Sequence, residues 1–510
     1  MATKDKQKPP PNPRILVVTP EITYLPAGMG NMANRLSAKA GGLADVSASL
    51  VSALFELGAD VHVALPHYRR MFNVEVGNLI SDELRVYQSK LPNDRINLAE
   101  DRVFYYRTEI YGSYDREGPR IALAFQREVI NNIIPLVKPD LIHCNDWMTG
   151  LIPALARRLD IPCLFTLHNI HTMELTLAEI EDRGIDAAEF WPYLFYFRPP
   201  RDYEETREHN KVDLLASGIF AAHFINTVSP TFLREIAEGR HDFIPWQIRS
   251  EIANKQTAGC AAGILNAPDP TFDAACDVHL SRTYAAEDHC EGKRANKLAF
   301  QEKLGLMENA EAPLFFWPSR LDPVQKGCQL LAHILYDIVS SYWDDCLQVA
   351  IVANGQFQQV FHDIVYHHDF YPRVAVCDFR EPLSHQGYAA SDFMLIPSLF
   401  EPCGLPQMIG ALYGSLPVAH DTGGLHDTVR HLDIAAGTGN GFLFETYDSG
   451  GLRWAIEQAM AFYKQPAGVR AAQVARVMRE SKAAFNHAVT ARKYFDIYEQ
   501  MLQRPLVRIF

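Results

Sequence analysis

The sequence predicts an α/β protein of two similar domains facing across a deep cleft, and three observations carry that expectation. The first is length: 510 residues are more than one hydrophobic core organises, so two large domains are the default. The second is alternation. Short apolar, β-branched runs recur between amphipathic helical stretches, the pattern of parallel sheets covered by helices on both faces. The third is where the runs stop: several end at polar or glycine-containing turns, and in open α/β sheets ligands bind outside the carboxyl ends of the strands.

Taken in order, Ile15–Thr19 (ILVVT) reads as a buried parallel strand that ends at Pro20-Glu21. Lys39-Ala40-Gly41-Gly42 then leads into a helical pattern up to Leu57, and Val61–Leu65 (VHVAL) is the next strand, completing one βαβ unit. Runs at Val103–Tyr106 and Ile121–Phe125 look strand-like. Leu141–Cys144 stops at Asn145-Asp146-Trp147, Cys163–Leu167 at His168-Asn169, and Phe224–Val228 at Ser229-Pro230, where serine caps and proline opens a helix. A strand end at Gly263–Asn266 marks the domain boundary. A second alternation follows, with strands at Leu314–Trp317, Val349–Val352, Val374–Val376, Phe393–Ile396 and Val418–Ala419. The expected organisation is a disordered tail at 1–13, a Rossmann-like domain at 14–264, a second at 265–483, and a helical segment at 484–510 that packs back on the first domain.

Composition narrows the function. A hydrophobic fraction of 48% with 21% charged residues is ordinary for a globular protein, and a net charge of −13 excludes a general nucleic-acid binder while leaving room for a small anionic substrate. Nine scattered cysteines without a CxxC pair fit reduced thiols in a cytoplasm better than disulfides or a zinc site. The N-terminal MATKDKQKPPPNPR has no apolar core of a signal peptide, and no run is long enough to span a bilayer. No histidine or cysteine spacing suits a metal, so neither metal nor cofactor is expected.

Four groups of residues could carry chemistry. Lys39 with Gly41 and Gly42 forms one; a glycine turn beside a solvated lysine explains it equally well. Asp146 and His168 lie at first-domain strand ends, where an aspartate can simply cap a helix and a histidine can be structural. Arg320 and Lys326 follow a strand, suiting a pyrophosphate as a bidentate fork and a compact charge, although such pairs often decorate a solvated face. The fourth group is the stretch 396–429. Glu401 stands between an apolar strand and Pro-Cys-Gly, where it must find donors, either a sugar hydroxyl or a buried salt bridge. Thr422, Gly423 and Gly424 open a helix whose amides could face an anion. Cys403 reads as a packing residue rather than a nucleophile.

These motifs together resemble the bacterial glycogen synthase and plant starch synthase family, retaining glucosyltransferases of the GT-B fold. The likeness is collinear through KAGGLADV (39–46), NDWMTGLIP (145–153), FTLHN (165–169), NTVSPTF (226–232), GILN (263–266), KRANKLAFQ (293–301), SRLDPVQKG (319–327), FEPCGLPQ (400–407) and DTGGLHDTV (421–429). The resemblance implies transfer of glucose from ADP-glucose to the non-reducing end of an α-1,4-glucan with retention. It implies that Lys39, Gly41 and Gly42 approach the donor phosphates, that Arg320 and Lys326 neutralise the leaving diphosphate, and that Thr422–Gly424 add amide donors. Glu401 would hold the donor glucose, His168 would contact it near the reacting carbon, and Asp146, Cys403, Gly404 and Leu405 would line the substrate.

The chain departs from the family pattern at several places. Asn145 replaces the His of His-Asp-Trp, and 170–173 read Ile-His-Thr-Met where the family runs toward Tyr-Gln-Gly. GILN is followed by Ala267-Pro268, one extra residue separates Arg320 from Lys326, and Leu399 and Pro406 replace Arg and Thr. The alternatives are a GT-B glucosyltransferase with UDP-glucose or another acceptor, and a non-catalytic glucan-binding paralogue. A mere binder has no need of leaving-group cations, which favours an enzyme.

Overall fold

The structure is a computed structural model that describes residues 12–30, 32–72, 94–111 and 117–507. Residues 1–11 of the expected disordered tail lie outside the described residues. The chain divides into two compact units, one running up to Val228 with Leu233–Ile264 and Thr490–Phe510, the other made of Ser229–Phe232 and Leu265–Val489.

The first unit contains β1 (Arg14–Val18), β2 (Asp60–Pro66), β3 (Ile96–Ala99), β4 (Leu141–Asn145), β5 (Cys163–Leu167), β6 (Glu174–Leu175), β7 (Val212–Asp213), β8 (Phe224–Thr227) and β9 (Ala261–Gly263). Seven of these form one sheet in the order β3-β2-β1-β4-β5-β8-β9, and every pairing in it is parallel. β6 and β7 make a separate antiparallel pair. β4 and β5 are buried along their whole length, so neither shows the polar–apolar alternation of a half-exposed strand, and their His143, Asn145 and Thr166 are buried and hydrogen-bonded. The helix His487–Leu502 belongs to this unit from Thr490 onward. Its Tyr498 hydroxyl bonds His143 Nδ1 at 2.7 Å, and its Tyr494 hydroxyl accepts from Asn226 Nδ2 at 3.1 Å.

The second unit contains β10 (Leu314–Trp317), β11 (Gln348–Val352), β12 (Val374–Cys377), β13 (Phe393–Ile396), β14 (Leu416–His420) and β15 (Phe442–Phe444), ordered β12-β11-β10-β13-β14-β15 and all parallel. Side chains alternate between two buried layers. Phe315, Trp317, Val349, Ile351, Phe393 and Leu395 enter one; Leu314, Phe316, Ala350, Val352, Met394 and Ile396 enter the other. Both units therefore share the doubly wound α/β arrangement in which strand order reverses beside the first strand, between β1 and β4 and between β10 and β13. No helix among the described residues is long and apolar enough to cross a membrane.

Two expectations of strand fail. Val103–Tyr105 lies in the helical turn Arg102–Tyr105, started by Asp101, whose Oδ1 accepts from Val103 N at 2.7 Å. Ile121–Phe125 lies in the helix Gly118–Glu128, with Pro119 in its first turn. A five-residue apolar run fits a buried helix as well as a strand; the aspartate cap and the first-turn proline were the signals that decide it.

Candidate active site

Most candidate residues follow the carboxyl ends of parallel strands at or next to the two strand-order reversals, the place where ligands bind in open α/β sheets. In the first unit, β1 runs into Thr19-Pro20-Glu21, and β4 runs into Asp146. Glu21 is 2% exposed, and its Oε2 accepts from the amides of Ala40 at 2.6 Å and Gly41 at 3.0 Å, while Tyr111 donates to Oε1 at 2.9 Å. Burial raises its pKa, and those three donors oppose the rise. The lysine loop thus wraps an internal carboxylate: the Gly41 amide, expected to face phosphate, is donated to Glu21. Gly42 begins the helix Gly42–Glu56, and the exposed Lys39 pairs with Asp45 at 2.9 Å.

Asp146 does not cap the short helical turn that follows it. Its Oδ1 accepts from His168 N at 2.7 Å and Asn169 N at 3.4 Å, and its Oδ2 from Asn169 Nδ2 at 2.9 Å. The aspartate therefore ties the end of β4 to the end of β5. Its φ of 58° and ψ of 178° are strained for a residue with a Cβ, the kind of cost that persists where surroundings fix it at a functional site. Burial pushes its carboxyl up to about 7, against the pull of the two amides. His168 sits beside it with Nε2 3.1 Å from Asn145 Oδ1, and burial pushes its imidazole down to about 3, so it is neutral.

In the second unit, Glu401 follows β13 and is 7% exposed. Its Oε2 lies 2.6 Å from Lys326 Nζ and accepts from Ser398 Oγ at 3.0 Å, so the structure joins two of the expected residues in one nearly buried ion pair. Arg320 is exposed and makes no hydrogen bond or ion pair among the described residues; it lines a cavity of about 660 Å³ with Leu321, Asp322, Asn354, Gly355 and Phe379 at the ends of β10 and β11.

The stretch 401–405 packs backbone to backbone against 422–424. Gly424 N donates to Glu401 O at 2.8 Å, and a Cβ on Gly423 would meet that same carbonyl at 2.1 Å, one on Gly424 the carbonyl of Cys403 at 2.0 Å. Thr422 N donates to His420 O at 3.0 Å. Two of the three amides expected for phosphate are thus committed to carbonyls, and the glycines serve close packing. Gly404 adopts φ 70° over the buried Gln407, whose Nε2 donates to the Cys403 and Gly404 carbonyls at 2.9 and 2.8 Å. Leu405 precedes the helix Pro406–Leu412, where proline fits the first turn because no amide is needed there. Burial pushes the Cys403 thiol up to about 12, which leaves it a packing group.

The first part of the chain, 14–243, matches the starch synthase catalytic domain, and 312–461 matches the glycosyl transferases group 1 domain. Glycogen synthase of Geobacillus stearothermophilus is 32% identical, covering 92% of this chain and 96% of its own length. Glycogen synthase of Moorella thermoacetica is also 32% identical, covering 98% of both chains. The chain belongs to the glycogen and starch synthase family. Among solved structures, the catalytic domain of starch synthase IV from Arabidopsis thaliana, bound to ADP and acarbose, superposes with a TM-score of 0.76 at 26% identity over 97% of this chain and all of that one. A sucrose-phosphate synthase from Thermosynechococcus elongatus, at 17% identity and a TM-score of 0.57, shares the fold. The protein is accordingly a glycosyltransferase of the GT-B class.

Three residues around these candidate groups carry no motif of their own. Glu21 and Tyr111 brace the lysine loop; an acid directly after the first strand was the available signal for the former. Phe379 is 47% exposed at the cavity wall, with its amide donated to Asn354 Oδ1 at 2.9 Å. An aromatic ring left exposed after β12 is visible only once the strand order is known. Among the described residues no group of three or more His, Cys, Asp or Glu could hold a metal ion.

Proposed function

We propose that this chain transfers glucose from ADP-glucose to the non-reducing end of an α-1,4-glucan with retention of configuration. The observation that carries the reading is the Lys326–Glu401 pair at the β10/β13 reversal, beside a cavity edged by Arg320 and Phe379. The relatives support the substrates: glycogen synthases among sequences, and a starch synthase bound to ADP and acarbose among structures.

The nucleobase stacks on Phe379, a contact that needs only an exposed π face. Arg320 and Lys326 meet the diphosphate, Glu401 accepts from the glucose hydroxyls, and His168 accepts from a sugar hydroxyl. As the bond from the anomeric carbon to the diphosphate oxygen breaks, its electron pair leaves with the diphosphate, and preorganised cations lower the barrier by stabilising that growing charge. The acceptor 4-hydroxyl bonds the anomeric carbon on the same face, and its proton passes to the departing diphosphate oxygen. Asp146 holds the strand-end loop that carries His168. Nine free thiols support a cytoplasmic setting.

The test is incubation of purified protein with glycogen and radiolabelled ADP-glucose or UDP-glucose. Label enters the glucan from ADP-glucose in preference to UDP-glucose. Incorporation from neither donor rejects the enzyme reading, and a preference for UDP-glucose rejects the donor assignment.

A further inference from the structure

We infer that Asn145 is a positioning residue that locks His168 in the tautomer with its proton on Nε2, leaving Nδ1 as a bare acceptor for a hydroxyl of the donor sugar. The hydroxyl rests on the proposed function above; the lock does not.

Asn145 ends β4 and is 3% exposed. Its Nδ2 lies 3.1 Å from the carbonyl oxygen of Val18, the last residue of β1. A carbonyl can only accept, so the amide must present its NH₂ there; the flipped amide would set oxygen against oxygen. The orientation of the other end follows. Oδ1 faces His168 Nε2 at 3.1 Å, and because Oδ1 can only accept, the imidazole proton sits on Nε2. His168 Nδ1 makes no hydrogen bond among the described residues, so its lone pair is open to a partner that donates, such as a sugar hydroxyl.

The groups facing His168 do not undo this arrangement. The neighbouring His143 has both ring nitrogens engaged, by Tyr498 and by Thr166 Oγ1 at 2.6 Å, and burial keeps it neutral. Asp146 spends Oδ1 on the His168 and Asn169 amides rather than on the imidazole, and Glu21 acts on Asp146 only through its charge. Asn169 is neutral. The asparagine side chain neither titrates nor exchanges its accepting and donating ends while Val18 O holds its NH₂, so this chain's acceptor is fixed across neutral pH.

The test uses the full chain labelled with ¹⁵N-histidine, with His168 assigned by the resonance missing from His168→Gln. Long-range proton–nitrogen correlation is expected to show His168 as the pure Nε2–H form, with an exchange-protected proton, unchanged from about pH 6 to 9. The Nδ1–H form, or titration within that window, overturns the proposal, and this measurement needs no positioning variant to fold. In Asn145→Leu, which is nearly the same size but cannot accept, the protected proton is lost and the Nδ1–H form appears beside the other. With only part of the molecules competent, kcat/KM for ADP-glucose falls about tenfold. An unchanged spectrum in that variant removes the lock from Asn145, and unchanged kcat/KM removes the acceptor role. Absence of any glucosyl transfer by the unsubstituted chain would reject the proposed function while leaving the tautomer decided by the spectrum.

Discussion

The two strand-order reversals share one topology but hold opposite chemistry. At β1/β4 the buried acids Glu21 and Asp146 are satisfied by backbone amides, a tyrosine hydroxyl and an asparagine, and the histidine beside them is neutral. Lys39, in the loop beside them, is exposed and pairs with Asp45. At β10/β13 the acid Glu401 is met by the ammonium of Lys326, and a second cation, Arg320, stands on the cavity wall with no ion pair among the described residues. The same strand topology thus surrounds its acids with uncharged hydrogen-bond partners in one unit and with cations in the other. The first set suits hydroxyls; the second suits a group whose negative charge grows during reaction.

The largest expected effect breaks the charged side. Lys326→Ala should lower kcat for glucosyl transfer by about 10²–10³-fold, the usual scale for removing a preorganised charge from a developing anion. It also leaves Glu401 buried without its partner, so stability should fall, by roughly 3–5 kcal/mol in urea unfolding if no other cation replaces the lysine. Arg320→Ala separates the two consequences. Because Arg320 is exposed and makes no ion pair among the described residues, its loss should lower kcat with stability changed by no more than about 0.5 kcal/mol. A Lys326→Ala enzyme with near-normal kcat would end the assignment of the second unit's cations to the leaving group.

A smaller effect tests the edge of the same cavity. Phe379→Ala should raise the KM for ADP-glucose about tenfold while leaving kcat within a factor of about two, since a stacked nucleobase contributes about 1–3 kcal/mol of binding that is equal in ground and transition states. Initial-rate kinetics at saturating glycogen measure it. A fall in kcat with unchanged KM would move Phe379 from binding to positioning.

The contrast between the units was only half legible in the sequence. Strands such as Leu314–Trp317 and Phe393–Ile396 announced themselves because burial on both faces demands an unbroken apolar run. The same property misled at Ile121–Phe125, where a helix buried on most sides presents an equally unbroken run. The motif residues were visible, but not their partners. Nothing in the spacing shows that Glu21 reaches the amides of Ala40 and Gly41, or that Gly424 is pressed on the Glu401 carbonyl, because those contacts depend on which strands lie side by side. A glycine read as an open anion cradle and a glycine read as tight packing look alike until the neighbouring backbone is in place.

The last prediction sharpens the uncharged side through Asp146. Its pKa in the folded chain is raised from 3.8 to about 7, with burial the dominant cause. A carboxyl whose folded pKa exceeds its unfolded value is bound to a proton more often in the folded state. Its contribution to stability is therefore complete below the unfolded pKa and is lost as pH rises through the folded one. Asp146→Asn should remove that dependence. An asparagine carbonyl still accepts from the His168 and Asn169 amides, while its NH₂ faces Asn169 Nδ2, whose own oxygen is held by His171 N at 2.9 Å; that lost bond costs the variant equally at every pH. Urea unfolding between about pH 5 and 7 should thus show the unsubstituted chain losing on the order of 1 kcal/mol per pH unit relative to the asparagine variant, with the difference levelling off above pH 7. Parallel stability curves would mean that Asp146 is ionised throughout this range and that a full negative charge stands beside His168 at every pH tested.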